Sequence, residues 1–422
     1  MNRLVCLDGL RGLLAVYVMA SHMAPFAALP GWVQSALSHG GAAVDLFFTL
    51  SGLVIMGSLA GVSWQARPFL IARAFRIFPA YLPVLALAIV VQSLPNGFER
   101  MPWIAPDSPA RSIWSDGWPP AWAAEIAAHL TMTHGLFPAA VLPDVWVSFL
   151  GAAWSLSTEW QFYVLALLAG HARPVWHQAR SFGIHGQAGP SIGTTAPRVG
   201  ALAAGFLALS VAGVTWQVLA PPGWQFSRAF LPNKAQYFAL GIASAGLVDR
   251  RAWRPYLIVL GATLALCSLG GPEKLLPPLA WTVCLSAALG VPGLRLLHRM
   301  LSARIMVWFG ALSYPIYLVN EPVQKPLGGL LARVAAGDAA LFTLLWCPLS
   351  LLVPLAMAML LHRVVERPGL MMGRALTRGW PAAAPGGVKR HAGSSPLATA
   401  QSRHNSAATA DSPSALPYET PV

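Results

Sequence analysis

Apolar runs of about 20 residues recur along the chain, and they constrain its fold more than any other feature. A helix of that length crosses the hydrocarbon core of a bilayer and satisfies its own backbone hydrogen bonds there. The composition agrees, because 56% of the 422 residues are hydrophobic and only 10% are charged. Soluble domains carry about 25% charged residues. The sequence therefore predicts an all-α, polytopic membrane protein embedded in a lipid bilayer.

Hydropathy and the basic clusters between the apolar runs predict about ten transmembrane helices. The spans are expected at residues 8–28, 42–61, 75–94, 153–170, 199–219, 234–248, 255–270, 276–293, 305–320 and 339–362. The first apolar run is long and carries His22, which favours an uncleaved helix over a cleaved signal peptide.

Three segments are expected outside these spans. Residues 121–142 are mildly apolar and are predicted to be partly embedded or to lie at the surface, with His129 and His134 as surface-loop histidines. Residues 171–198 are basic and are predicted to form a cytoplasmic loop. Residues 1–378 would form one transmembrane domain. The remainder, 379–422, is rich in Ala, Pro, Ser and Gly and is predicted to be a disordered cytoplasmic tail.

The distribution of basic residues predicts the orientation of the chain. The net charge is +13, but the Lys and Arg residues stand in short clusters between apolar runs. That pattern is typical of cytoplasmic loops, so no nucleic-acid partner is expected. With a cytoplasmic N-terminus, most of the 28 Lys and Arg residues fall on the cytoplasmic side. Both termini are therefore predicted to be cytoplasmic, in a multi-pass protein of the inner (cytoplasmic) membrane.

The four cysteines show no spacing that is typical of metal ligands or redox pairs. Three of them lie in apolar runs, where a free cysteine behaves as a small hydrophobic residue. Neither a metal site nor a disulfide is expected.

Arg11 and His22 are the most unusual residues of the first span. They are eleven residues apart in an apolar helix, which places them on one face and about 16 Å apart along the axis. Ionisable groups at such depth usually face a pocket or a partner. With the predicted orientation, His22 lies in the outer half of the membrane and Arg11 toward the cytoplasm.

Other intramembrane polar residues sort into the same two levels. Asp45, Glu159 and Tyr163 fall in the outer group with His22, and Asn320 is expected to end its span on the outer side. Arg73, Arg76, Glu366 and Arg367 fall toward the cytoplasm with Arg11. Because these levels follow from the span boundaries, they are predictions.

The two groups suggest a transfer reaction across the membrane. An imidazole beside a carboxylate can remove a proton from a hydroxyl. Arg73 and Arg76 stand at i and i+3 on one helix face, so both can reach one phosphate, which guanidinium groups bind bidentately.

Structural interpretations stay open for each of these residues. His22 can pair with a Ser or a carbonyl for structure alone, and Asp8 with Arg11 can be a helix-start ion pair. An Arg-x-x-Arg sequence also arises freely in positive-inside loops.

Six segments, in order, resemble the acyltransferase 3 family of integral membrane acyltransferases. The first is the sequence LDGLRG at 7–12, followed by His22. The others are VDLFFTLSG at 44–52, RAFRIFPAY at 73–81, WSLSTEWQFY at 154–163, LSYPIYL at 312–318 and ERP at 366–368. The resemblance therefore covers the whole predicted membrane part.

The resemblance implies a ten-helix inner-membrane enzyme that moves an acyl group, often acetyl, from cytoplasmic acyl-CoA to an extracytoplasmic acceptor. Acceptors in the family are commonly sugars of surface polysaccharides or glycoconjugates. Arg11 and His22 match the essential Arg-x10-His of the family. Many members have His at the position of Asn320, so Asn320 is not counted as catalytic. The chain also leaves no room after its last span for the extracellular hydrolase-like domain of larger members.

The donor site of the family maps onto further residues of this chain. Arg73 and Arg76 match the Arg-x-x-Arg thought to serve the donor. Glu159 and Tyr163 match the Glu-x-x-x-Tyr of the fourth span.

The expected function is that of a membrane O-acyltransferase for a carbohydrate or glycolipid acceptor. His22 would be the general base, or transiently acylated, with Glu159 and Asp45 as candidates to orient it. Arg11, with Arg73 and Arg76, would hold the phosphates of acyl-CoA, the donor co-substrate, beside Tyr163 and Asp8. No permanently bound cofactor is expected. A proton-coupled transporter or flippase of a glycan or lipid precursor is the alternative, and a membrane scaffold is a third interpretation.

Overall fold

A computed structural model describes residues 4–114, 117–171 and 196–378. The α-helices, in chain order, are α1 (Val5–Met23), α2 (Gly31–Leu37), α3 (Gly40–Gly61), α4 (Ala66–Gln92), α5 (Ala110–Ile113), α6 (Trp122–Leu130), α7 (Ala153–His171), α8 (Ala196–Leu219), α9 (Ala235–Arg250), α10 (Trp253–Ser268), α11 (Leu276–Ala288), α12 (Arg295–Leu301), α13 (Arg304–Ala335), α14 (Ala339–Leu361) and α15 (Arg367–Thr377). A π-helical turn, His362–Glu366, joins the last two.

The described residues contain no β-strand, only one isolated bridge between Pro138 and Phe226. The predicted all-α class is therefore confirmed. The predicted tail, 379–422, and most of the predicted loop, 171–198, lie outside the described residues, so the domain boundary after residue 378 stays a prediction.

Each of the ten predicted spans coincides with a helix of the described part. Within the described residues, five helical segments are long and apolar enough to cross a membrane: Val5–Phe26, Gly31–Gly61, Ala66–Gln92, Val199–Leu219 and Ala339–Thr377. A sixth is added if Pro272–Ala288 and Pro292–Leu301, which are bent by 101°, count as one span. The chain is thus a helical membrane protein, whereas the number of ten spans and the orientation of the termini stay predictions.

The segment 121–142 does not form a span, but its histidines are not at the surface. Its helix α6 has nine residues, about 14 Å of helix, which is too short to cross a bilayer. His129 and His134 are fully buried, and their rings stack with centroids 4.2 Å apart. His134 Nε2 donates to the carbonyl of Ala153 at 3.0 Å, and this hydrogen bond joins the segment to the start of α7. The expectation of surface-loop histidines is wrong. The sequence of this segment alone does not show that other parts of the chain pack over its histidines.

Helix α13 is much longer than the predicted span 305–320. It has 32 residues and contains Pro315, Pro322 and Pro326, and it is about 48 Å long. Asn320 therefore lies inside the helix and is fully buried, not at the end of a span. The apolar pattern ends at residue 320 because the next turns carry buried polar side chains, such as Gln324, that only other helices can satisfy.

Glycines bring α1 and α13 into backbone contact along a parallel pair. A Cβ at Gly12 would come within 2.5 Å of the backbone nitrogen of Gly310. A Cβ at Gly310 would overlap the backbone carbonyl of Asp8. Small residues permit such close approach between membrane helices. The contact places Arg11 and His22 of α1 alongside successive turns of α13.

An aromatic cluster holds the chain just after His22. The ring of Phe26 stacks on Trp114 with centroids 3.7 Å apart, and Trp346 Nε1 donates to the carbonyl of Met23 at 3.0 Å. The end of α1 is thus packed between α14 and the connection that follows α4, which limits the freedom of the imidazole.

Candidate active site

A cavity of about 460 Å³ lies between α1, α3, α4, α7, α13 and the C-terminal helices. Four arginines and two acids are among its lining residues: Arg11, Arg73, Arg76, Arg374, Asp8 and Glu159. The lining also includes apolar and aromatic side chains from α3 and α13, such as Phe47 and Tyr317. The cavity is therefore suited to a ligand with an anionic part and an apolar part.

Arg73 and Arg76 both line the cavity, but their partners differ. The Nη2 atom of Arg73 donates to Ser58 Oγ at 2.6 Å, and its guanidinium lies 5.7 Å from the ring centroid of Tyr163. The Nη1 atom of Arg76 forms a 2.6 Å ion pair with Glu366 Oε1. Since Arg73 has a neutral partner, it keeps more of its charge available for an anion than Arg76 does.

Glu366 connects Arg76 to a histidine that the sequence did not indicate. Its second oxygen, Oε2, lies 2.6 Å from His362 Nδ1, and the carboxylate is buried. His362 itself lines the cavity. The π-helical turn His362–Glu366 places both groups one turn apart on the same side.

Arg374 reaches the cavity because α15 packs closely on α4. A Cβ at Gly373 would come within 2.6 Å of Phe75 Cβ, and a Cβ at Gly369 within 2.8 Å of Pro79 Cβ. These two glycines, four residues apart, let the helix lie against α4 and present Arg374 to the cavity. The sequence contained an indication of this packing, because Gly369 and Gly373 are small residues at i and i+4 of one helix.

Arg11 lines the cavity with an unsatisfied donor. Its Nε is buried and has no hydrogen-bond partner among the described residues. A buried donor without a hydrogen bond is costly, and an anion in the cavity could accept that hydrogen bond and reduce the cost. Asp8, one turn earlier on α1, lines the same space.

Glu159 and Tyr163 project from α7 into the cavity, at i and i+4. Glu159 Oε1 accepts a hydrogen bond from Ser51 Oγ at 2.6 Å. Ser51 also lines the cavity. Of the eight residues predicted for the site, six therefore share this one cavity: Asp8, Arg11, Arg73, Arg76, Glu159 and Tyr163.

His22 and Asp45 are not among the residues that line the cavity. The Nδ1 atom of His22 lies 2.9 Å from Asn320 Oδ1. Asp45 forms a buried ion pair with Lys234, whose Nζ lies 2.7 Å from Asp45 Oδ1. The prediction that Glu159 or Asp45 orients His22 is wrong for the contacts observed, because Asn320 takes that place and both carboxylates have other partners.

Helix α13 contributes both to the cavity and to the surroundings of His22. Tyr317, the last cavity residue on α13, lies three residues before Asn320, which is about 4.5 Å along the helix. The Tyr317 hydroxyl accepts a hydrogen bond from Ser155 Oγ at 2.9 Å, and both side chains are buried. Both residues line the cavity, and Tyr317 lies less than one turn before Asn320 on α13.

A family model described as an acyltransferase domain, the acyltransferase 3 family, matches residues 4–362. The chain belongs to this acyltransferase family. The suspected resemblance is therefore confirmed, and an acyl donor, an acceptor and a membrane context follow from it. No curated protein and no solved structure matches the chain significantly. Arg374 and α15 lie beyond the matched residues of the acyltransferase family.

Proposed function

We propose that this acyltransferase moves an acyl group, acetyl in the simplest case, from cytoplasmic acyl-CoA to a hydroxyl of an extracytoplasmic glycan or glycoconjugate. The observation that carries the proposal is the arginine-lined cavity whose residue Tyr317 lies three residues before Asn320, the hydrogen-bond partner of His22. We place the protein in the inner membrane, with both termini in the cytoplasm, on the distribution of its basic residues.

The cationic residues of the cavity would bind the donor. Phosphates bind to guanidinium groups through charge-assisted hydrogen bonds. Arg11 and Arg73 are the best candidates, because neither forms an ion pair with a carboxylate among the described residues. The aromatic and apolar wall formed by Phe47, Phe48 and Tyr317 would accommodate the pantetheine arm and the acyl group.

His22 would act as the general base. The acceptor oxygen attacks the thioester carbon while the imidazole takes the hydroxyl proton. The tetrahedral intermediate then collapses, the C–S bond breaks, and the imidazolium returns the proton to the CoA thiolate. The products are the acyl ester and CoA-SH, so the base is regenerated.

The test is incorporation of label from radiolabelled acetyl-CoA into the glycan fraction of membrane vesicles that contain the protein. We expect incorporation with the wild type and its loss with His22→Ala at matched expression. Mass spectrometry of surface glycans from cells with and without the protein would identify the acceptor. Wild-type incorporation by His22→Ala would exclude the general-base role. Translocation of a glycan precursor without consumption of acetyl-CoA would favour the transporter alternative.

A further inference from the structure

We propose that Asn320 is a positioning residue that holds His22 as the tautomer with its proton on Nδ1, so that Nε2 is the nitrogen that accepts the hydroxyl proton. The proposal rests on the proposed function, since it concerns the nitrogen that acts as the base. It assigns a role to a side chain that has no charge and does not line the cavity.

The orientation of the Asn320 amide follows from its backbone contacts. Its Nδ2 donates to the carbonyl of Tyr317 at 2.8 Å and lies 3.4 Å from the carbonyl of Ile316. A flipped amide would direct Oδ1 at these two carbonyl oxygens, and none of the three could donate. The amide nitrogen therefore faces the helix backbone, and Oδ1 faces His22.

The tautomer of His22 follows from that orientation. Oδ1 of an amide only accepts, so the 2.9 Å contact requires a proton on His22 Nδ1. A neutral imidazole carries one proton, and Nε2 is then left with a free lone pair. The bond thus selects the nitrogen that can act as the base.

The surroundings keep Asn320 in place. Its side chain is fully buried inside α13. One turn later, Gln324 Nε2 donates to the carbonyl of Ser350 at 3.0 Å, which fastens this part of α13 to α14. The close contact of Gly12 with Gly310 fixes α13 against α1, the helix of His22. Both partners of the bond are therefore held by packed helices.

The neutral amide also differs from a carboxylate in its effect on the reaction. An amide selects the tautomer without adding a negative charge beside the imidazolium that forms during the reaction. A carboxylate at the same position would favour the protonated ring, and an opposite charge at such range shifts titration by about one pH unit or more. The pH profile therefore distinguishes a positioning role from a packing role.

The experiment uses the full chain in membrane vesicles, with radiolabelled acetyl-CoA as the probe. Asn320→Leu removes the acceptor at similar volume, and Asn320→Asp keeps an acceptor and adds charge. Gln236→Leu is the control, because it removes a buried amide on α9, where Gln236 accepts a hydrogen bond from Ser210, away from the pair of His22 and Asn320. Detergent extraction and elution volume establish that each variant is folded, and His22→Ala sets the background.

We expect Asn320→Leu to lower kcat by about 10-fold to 100-fold, with a change in KM for acetyl-CoA below about twofold. For Asn320→Asp we expect substantial activity, with the acid limb of the pH profile moved upward by about one pH unit. Gln236→Leu should keep the wild-type pH profile.

Two results would overturn the proposal while leaving the proposed function intact. In both, His22→Ala is inactive. One is a wild-type kcat and pH profile for Asn320→Leu, and the other is an unmoved acid limb for an active Asn320→Asp. Full activity of His22→Ala would instead overturn the proposed function, and this proposal with it.

Discussion

The buried ion pair between Asp45 and Lys234 allows a quantitative prediction about the substitution Lys234→Met. The two charged atoms are 2.7 Å apart, and the side chains of Asp45 and Lys234 are 2% and 14% exposed. The ammonium group also lies 5.8 Å from the ring centroid of Trp154. Lys234→Met keeps most of the apolar stem but leaves the Asp45 carboxylate buried without its cation.

We expect Lys234→Met to lower the free energy of unfolding by about 3–5 kcal/mol, the usual cost of an uncompensated buried charge. The double variant Asp45→Leu/Lys234→Met removes both charges, so we expect it to return to within about 1 kcal/mol of the wild type. Glu99→Gln is the control. It breaks the exposed pair of Glu99 with Arg100 and should change the unfolding free energy by less than about 1 kcal/mol.

Tryptophan fluorescence during SDS titration of the protein in detergent micelles measures these differences. Wild-type stability of Lys234→Met would refute the argument from burial, and a double variant as unstable as Lys234→Met would refute the argument from pairing. Acyl transfer by the double variant tests the catalytic role that the sequence predicted for Asp45. Retained activity would show that the reaction does not need the Asp45 carboxylate and that its role is the structural pair with Lys234.

Three further predictions concern other parts of the chain. Arg374→Gln should raise KM for acetyl-CoA several-fold with little change in kcat, because the side chain lines the cavity; Arg378→Gln, one turn later, should leave KM unchanged in the same kinetic assay. Gly310→Leu should prevent the close packing of α13 on α1, and size-exclusion chromatography should show loss of folded protein. Burial lowers the pKa of His134 to about 4 and holds the pKa of the stacked His129 well below its ordinary value of 6.5. The stability that these neutral histidines contribute is therefore complete above about pH 6.5 and is lost as the pH falls toward 4; thermal unfolding at several pH values should show this loss, and His134→Gln should reduce it.

The sign of that last effect depends on a neighbouring carboxyl group. Glu125 lies in the same segment, and burial raises its pKa, so its own contribution favours the folded state at low pH. Two histidines with lowered pKa values against one acid with a raised pKa value should leave a net loss of stability in acid. Thermal unfolding of His134→Gln at several pH values separates the contribution of the histidines from that of Glu125.

The local sequence pattern was sufficient to predict most of the helices. Each predicted span coincides with a helix, because an apolar run of helical length is recognisable from the residues alone. The exceptions have a common cause. Helix α13 continues fifteen residues beyond the predicted end, residue 320. His129 and His134 are buried where surface was expected. In both places, buried polar residues form hydrogen bonds with other segments, such as His134 with Ala153 and Gln324 with Ser350.

Local sequence patterns also predicted part of the candidate site. The residues of the Arg-x-x-Arg and Glu-x-x-x-Tyr patterns share one cavity because each pair lies on one face of its own helix. The partner of His22 could not be predicted in this way. Asn320 is 298 positions away in the chain, and Lys234 is 189 positions from Asp45. No periodicity links residues at such separations.

The amino-acid sequence was enough to identify a helical membrane protein, the acyltransferase family, and the residues most unusual for lipid. The membrane class and the unusual residues are properties of single helices, which follow from hydropathy and the cost of a charge in an apolar medium. The family followed from the resemblance of six ordered segments. Only the tertiary structure decided that Asn320 faces His22, that Asp45 pairs with Lys234, and that Arg374 reaches the cavity. Those contacts depend on how the helices cross and rotate against one another, and glycines such as Gly12 and Gly310 set that packing at distances that no single helix specifies.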